Sequence, residues 1–209
     1  MAGKFISFEG GEGAGKSTQT KLLAGALQKR GVDVVLTREP GGSPGAEEIR
    51  KLLVEGEPER WTPLAETLLF LAARSDHVAR LIAPSLEKGN WVVCDRFSAS
   101  TIVYQGIARG VGIETVRALQ DSIPGMIYPD LTIIIDVDPE VGLQRAGTRP
   151  EDVEGRFEKF DAAFHNTLRQ SFRELAESGE NNCVLVDGGR TPELVAADVW
   201  RIVEERLSP

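Results

Sequence analysis

The segment FISFEGGEGAGKSTQTKLL, residues 5–23, constrains this chain more than any other. A short apolar run, FISFE, breaks into glycines, then a lysine and two hydroxyls, and then a helical pattern. Within it GGEGAGKS, residues 10–17, reads G-x-x-x-x-G-K-S. Glycines at these positions let the backbone wrap until successive N–H groups converge, and the next helix adds the positive end of its dipole. Lys16 contributes a point charge, and Ser17 a hydroxyl suited to a magnesium ion that bridges two phosphates. A glycine-rich turn alone would carry little weight. The full pattern between a strand and a helix predicts a nucleoside triphosphate site at Gly10, Gly11, Glu12, Gly13, Ala14, Gly15, Lys16, Ser17 and Thr18.

Four further apolar runs follow: VDVVLT (32–37), WVVCD (91–95), LTIIID (131–136) and CVLVD (183–187). All are short and apolar on both faces, as strands buried in a parallel sheet are. Helical patterns lie between them at 15–30, 44–55, 63–88, 98–121 in two pieces, 139–147, 157–178 and 192–206. Asp138 followed by Pro139 marks a helix start. Strand and helix in alternation predict an α/β fold with a five-stranded parallel sheet and helices on both faces. At 209 residues the chain suits a single domain, 1–209, and no linker or repeat divides it. The polar stretch AGTRPEDVEGRFEKFD (146–161) is expected to form a small mobile lid.

The net charge of −8 argues against a broad surface for nucleic acid or an anionic membrane. No apolar run approaches the length of a membrane span. Cys94 and Cys183 sit in strand-like runs and are expected to be buried, reduced thiols of a cytoplasmic protein. His77 and His165 lack metal-ligand spacing and are read as structural.

The loop does not say where the terminal phosphate goes. A GTPase needs an N-K-x-D reader, which is missing here, and DVEG (152–155) does not follow an apolar strand. Motor ATPases usually need more chain. A kinase for a small acceptor is left. WVVCDRF (91–97) ends a strand in Asp95, where magnesium is usually held in this class, with Arg96 beside it as a cation for phosphate. Arg38 opens a turn of proline and glycines after the second strand, Arg50 lies one helix further, and Arg74 follows Phe70 by one helical turn. Singly, each arginine reads as a surface charge and Phe70 as core. Together they describe a monophosphate acceptor, with cations for phosphate and a ring to stack on a base. Such an acceptor needs no dedicated base, since its phosphate has a second pKa of roughly 6 and is already a dianion.

In FEGGEGAGKSTQ, REPGGSPGAEEIR, ETLLFLAARSDHV, WVVCDRFSASTIVYQG, YPDLTIIIDVDPEVGLQR and GRFEKFD the chain resembles bacterial-type thymidylate kinases, in order and spacing, from about residue 4 to the last helix. The resemblance implies the P-loop kinase fold and ATP-dependent phosphorylation of dTMP with Mg2+. It implies that Phe70 stacks on thymine, Arg74 meets its O4, and Arg38, Arg50 and Arg96 contact the monophosphate near Glu39. Glu12 is then expected at the sugar 3′-hydroxyl, Thr101 and Gln105 at the base, Ser100 in the pocket wall, and Tyr104 against the deoxyribose. Eukaryotic-type members carry an arginine where this chain has Gly13. Here Arg145 and Arg149 match the lid pattern that takes over its role, with Arg156 as a further cation; Gly147 stands where another arginine is common. The family implies a homodimer through the helical region 63–88. Phe70 and Arg74 do not separate thymine from uracil. A nucleotide-binding module without catalysis stays a second class of reading, disfavoured by the intact Lys16, Ser17, Asp95 and Arg96.

Overall fold

The computed structural model describes residues 3–147, 155–179 and 182–209. Five strands, β1 (Phe5–Glu9), β2 (Val34–Arg38), β3 (Trp91–Asp95), β4 (Leu131–Asp136) and β5 (Cys183–Asp187), form one all-parallel sheet in the order β2-β3-β1-β4-β5. Along the three central strands, β1, β3 and β4, side chains alternate between two buried faces, whereas edge strand β2 is half open, with Leu36 exposed. Ile6, Phe8, Trp91, Val93, Ile133 and Ile135 face one core, while Phe5, Val92, Cys94 and Ile134 face the other side. This is why the runs carry no polar stripe.

Helices α1 (Lys16–Lys29) and α9 (Pro192–Leu207) cover the first face through Leu23, Leu27, Val195, Val199, Ile202 and Val203. The second face takes α8 (Ala162–Glu177) through Leu168 and Phe172, and the turns around Val78 and Val103. Between β2 and β3 run α2 (Pro44–Val54), α3 (Pro63–His77) and α4 (Ala83–Glu87), the last two joined by a π-helical turn, Val78–Ile82. After β3 come α5 (Ser98–Thr101), a π-helical segment Ile102–Ala108 and α6 (Ile113–Asp121). Helix α7 (Pro139–Ala146) starts as expected, with the Asp138 carboxylate accepting from Glu140 N at 3.0 Å.

Two boundaries differ from the sequence reading. The second strand runs Val34–Arg38 instead of 32–37, because Val32 N bonds back to Leu27 O and closes the end of α1. The helix expected over 157–178 begins only at Ala162. Phe157–Lys159 form a single 3-10 turn, and Asp161 then caps α8 by accepting from Phe164 N at 2.8 Å. Of the expected lid, residues 148–154, including Arg149 and most of DVEG, lie outside the described residues.

All five strands point their C-terminal ends the same way, so Glu9, Arg38, Asp95, Asp136 and Asp187 mark one edge of the sheet. The chain leaves central β1 there, with β3 on one side and β4 on the other. Crevices at such a point take ligands in doubly wound sheets. Asp136 is occupied structurally: Arg169 Nε and Arg173 Nη1 reach its carboxylate at 2.8 and 2.6 Å. Cys94 and Cys183 are buried, and neither is in a disulfide. Among the described residues, no helix is long and apolar enough to cross a membrane.

Candidate active site

A cleft of ≈ 830 Å³ opens along this edge, floored by residues 12–19 and walled by α3, the β3–α5 turn and the start of α9. The loop itself is shaped by its glycines. Gly13 lies at φ +63°, and a Cβ there would sit 1.8 Å from the carbonyl oxygen of Gly142 in α7. That close approach excludes any side chain, including the arginine of eukaryotic-type sequences. Lys16 is buried and folds over the loop, donating to the carbonyls of Gly11 at 2.6 Å and Gly10 at 3.2 Å. Burial lowers its pKa to about 8, with Arg96 adding to the fall. Ser17 Oγ bonds Asp95 Oδ2 across the mouth of the loop, so two hard oxygens converge where the loop opens. Thr18 is exposed beside them and lines the cleft.

Arg96 follows Asp95 at φ +68°, a left-handed backbone that non-glycine residues seldom adopt. The turn sends its guanidinium back over the loop, where it donates to Gly10 O (2.9 Å), Ser100 Oγ (3.2 Å) and Glu12 Oε1 (2.8 Å). Burial opposes its charge, but Glu12, Tyr104 and Asp95 outweigh burial and hold it above the ordinary arginine range. Glu12 also accepts from Tyr104 Oη at 2.8 Å. Burial pushes the Glu12 carboxyl up, yet Arg96, Lys16 and Tyr104 together bring it down to about 2. Tyr104 is wedged among Phe157, Phe164 and Phe172, with ring centroids 5.6 to 6.3 Å away.

Helix α3 brings Phe70 and Arg74 into the same cleft. Phe70 is half-buried and lines the cleft wall. Arg74 is 2% exposed. Its Nε donates to Glu39 Oε2 (2.8 Å) and its Nη2 to Thr101 Oγ1 (3.0 Å), while Nη1 has no partner among the described residues. A buried guanidinium nitrogen without a partner is uncommon in a folded protein and calls for an explanation. Glu39 is held in turn by His77 Nδ1 at 3.0 Å, and His77 Nε2 meets Thr37 Oγ1 at 2.8 Å, so His77 is structural as expected. Arg38 pairs with Glu47 at 3.2 Å, and Arg50 Nη1 donates to Pro40 O at 2.6 Å; both line the cleft.

The other predicted residues divide. Ser100, Thr101 and Gln105 line the cleft, and so does Arg145, whose Nη1 donates to Gly188 O at 3.2 Å. Arg156 does not join the cations. It is fully buried, donating to the carbonyls of Leu53, Glu57 and Pro58 and pairing with Glu66, so its guanidinium is spent on architecture.

Three features escaped the sequence reading. Glu9, fully buried, accepts from Phe97 N and Ser100 Oγ and so props the β3–α5 turn; burial raises its pKa. Phe157 lies 6.0 Å from Phe70, ring to ring, and lines the cleft. Gly188, Arg190, Pro192 and Val195 line its far end. The signal for these last was present: DGGRTP follows β5 with the same strand-end, glycine and proline texture as REPGGS.

A phosphate loop at one end of a cleft and an arginine-lined, aromatic-walled chamber at the other define a P-loop phosphotransferase whose acceptor is itself an anion, a nucleoside monophosphate kinase. The comparisons narrow this. The profile of the family Thymidylate kinase matches residues 8–199. A thymidylate kinase of Bradyrhizobium sp. is 52% identical over 206 residues, 98% of this chain and 91% of that protein. One from Dinoroseobacter shibae is 52% identical over 200 residues, 94% of each. The crystal structure of thymidylate kinase from Ehrlichia chaffeensis superposes with a TM-score of 0.77 at 34% identity, over 97% of this chain and 99% of that one. The chain belongs to the thymidylate kinase family.

Proposed function

We propose that this chain transfers the terminal phosphoryl group of ATP, bound with Mg2+, to the phosphate of dTMP, giving ADP and dTDP. The observation that carries the proposal is the pairing, on one helix face, of Phe70 with an Arg74 nitrogen left without a protein partner, in the cleft that the phosphate loop floors. Phe70 offers a stacking surface for the base. Arg74 offers a donor to a ring carbonyl. Arg38, Arg50 and Arg96 are then the cations for the acceptor phosphate, with Glu39 and Glu12 holding two of the guanidiniums of this chamber in place. Glu12 and Tyr104, bonded to each other, face the sugar, and the tightly packed Tyr104 ring leaves little room for a 2′-hydroxyl.

The reaction needs no general base, because the acceptor dianion is already a nucleophile. The chain's residues align two phosphates and stabilise the charge that develops between them. Lys16 and Arg96 stand at the loop for this purpose, and Arg145 with Arg149 supply further cations. Ser17 and Asp95 fit a magnesium ion, which takes one or two protein oxygens together with phosphate and water; when bound it neutralises charge on the bridging phosphates. The exposed Leu64 and Leu68, one turn apart on α3, support a homodimer through that helix.

A panel of nucleoside monophosphates with Mg-ATP tests the reading. dTDP is the expected product, and turnover of another monophosphate with dTMP untouched would overturn it. dUMP shares the stacking face and the O4 carbonyl, so its rate beside that of dTMP measures what the 5-methyl group contributes.

A further inference from the structure

Glu66 takes no part in the reaction as described, yet it is fully enclosed in α3. A buried carboxylate is costly unless it is paired. Its Oε2 is in ion contact with Arg156 at 2.5 Å, and its Oε1 lies 3.7 Å from Arg109 Nε. Arg156 is in turn locked by the three backbone carbonyls of Leu53, Glu57 and Pro58. A further neighbour of Glu66 among the described residues is Gln105, whose Nε2 donates to Glu66 Oε1 at 3.0 Å. Gln105 is 1% exposed and lines the cleft from the π-helical segment.

A primary amide has two ends of nearly the same shape, one a donor and one an acceptor. A neighbour that can only accept decides which end faces it. A carboxylate flanked by guanidiniums offers acceptors only, so the amide NH2 turns to Glu66 and Oε1 is left for the cleft. Arg74 supplies the complement, since its Nη1 is a donor without a partner among the described residues. One acceptor beside one donor matches a ring edge that carries N–H next to C=O. That is the edge of a 4-oxopyrimidine. A 4-aminopyrimidine presents a bare ring nitrogen and an amino group, the reverse order.

We propose that Glu66, held by Arg156, is a positioning residue for acceptor specificity: by fixing the Gln105 amide it makes the cleft accept 4-oxopyrimidine monophosphates and reject 4-aminopyrimidine ones. The inference rests on the dTMP reading of the cleft. Glu66→Gln tests it, because a carboxamide at 66 can face either end of the Gln105 amide. The preference for dTMP over dCMP, as the ratio of kcat/KM values, is expected to fall by about 10- to 100-fold, the scale of one or two mis-set hydrogen bonds. In a Gln105→Met background the same substitution is expected to leave that ratio where Gln105→Met has put it. A Glu66 that merely stabilises the fold would lower the melting temperature and leave the dTMP-to-dCMP ratio at its wild-type value, which overturns the inference. Where Glu66→Gln does not fold, the wild-type protein decides. The side-chain NH2 signal of Gln105, identified by its loss in Gln105→Met, is expected to exchange slowly with solvent in the nucleotide-free enzyme; rapid exchange overturns the inference. Wild-type enzyme that prefers dCMP to dTMP overturns the functional reading together with this one. A wild-type preference for dTMP with an unmoved ratio in Glu66→Gln overturns this one alone.

Discussion

In the proposed reading of the cleft, the groups that hold the donor come from one continuous run, residues 10–18, whereas those for the acceptor, Arg38, Arg50, Phe70, Arg74, Arg96 and Gln105, come from three separate stretches of chain. The first end is made of backbone, with one lysine laid over it. The second is made of side chains, and several of these are gripped by a carboxylate: Arg74 by Glu39, Arg96 by Glu12, Arg38 by Glu47, Gln105 by Glu66. Backbone groups are oriented by the fold of the loop itself. Long side chains have to be oriented by neighbours, and carboxylates do this while partly cancelling charge that would otherwise repel within the cleft. Fixed dipoles and cations of this kind stabilise a developing charge without reorganising at the moment of reaction.

The largest effect expected on this contrast is that of Lys16→Ala. It should lower the rate by about 10²–10³-fold, and by a similar factor for every acceptor, because the donor end does not read the base. Steady-state kinetics across several monophosphates check this; a loss confined to dTMP would break the division between the two ends. Phe70→Ala should act on the opposite side, weakening dTMP binding by about 1–3 kcal/mol, the worth of one stacked base, with kcat changed far less. Isothermal titration with dTMP measures it. Gly13→Ala tests whether the loop is a backbone object, since both its φ of +63° and the Gly142 carbonyl oppose a Cβ. A destabilisation of about 1–3 kcal/mol follows from the backbone term alone, and urea unfolding reads it.

Two smaller effects concern the carboxylates. Glu12 has its pKa lowered to about 2 in the fold, from 4.5. A depressed carboxyl favours the folded state when ionised, so its contribution is complete above about pH 4.5 and is lost as pH falls toward about 2. Glu12→Gln should therefore flatten stability across that acid window, as followed by thermal unfolding at stepped pH. Glu47→Gln removes the charge of a solvent-exposed pair with Arg38, while the carboxamide oxygen still accepts from Gly42 N, so stability should change by about 1 kcal/mol or less. A larger loss would place Glu47 among the buried supports with Glu39 and Glu66.

Much of this was legible before any fold was known. The central strands were readable because parallel strands buried on both faces leave uninterrupted apolar runs, and the phosphate loop because its glycines and lysine are neighbours in the chain. The start of α8 was misread, since Phe157 and Phe160 continue an apolar helical pattern that the 3-10 turn and the Asp161 cap interrupt. Glu9 was passed over as part of a strand, although a carboxylate at full burial in a strand end has to be holding something.

Local order therefore announces local geometry: the glycines at 10, 13 and 15 lie at positive φ, and Asp138 with Pro139 starts a helix, whatever the rest of the chain does. The fate of the arginines was different. Arg74 and Arg156 look alike as letters, each with apolar and acidic residues nearby, yet one leaves its Nη1 without a partner among the described residues and the other disappears into carbonyls and Glu66. Their partners are far away in the chain, and a guanidinium is aimed by whatever desolvates and pairs it. Only the packed structure brings those groups together.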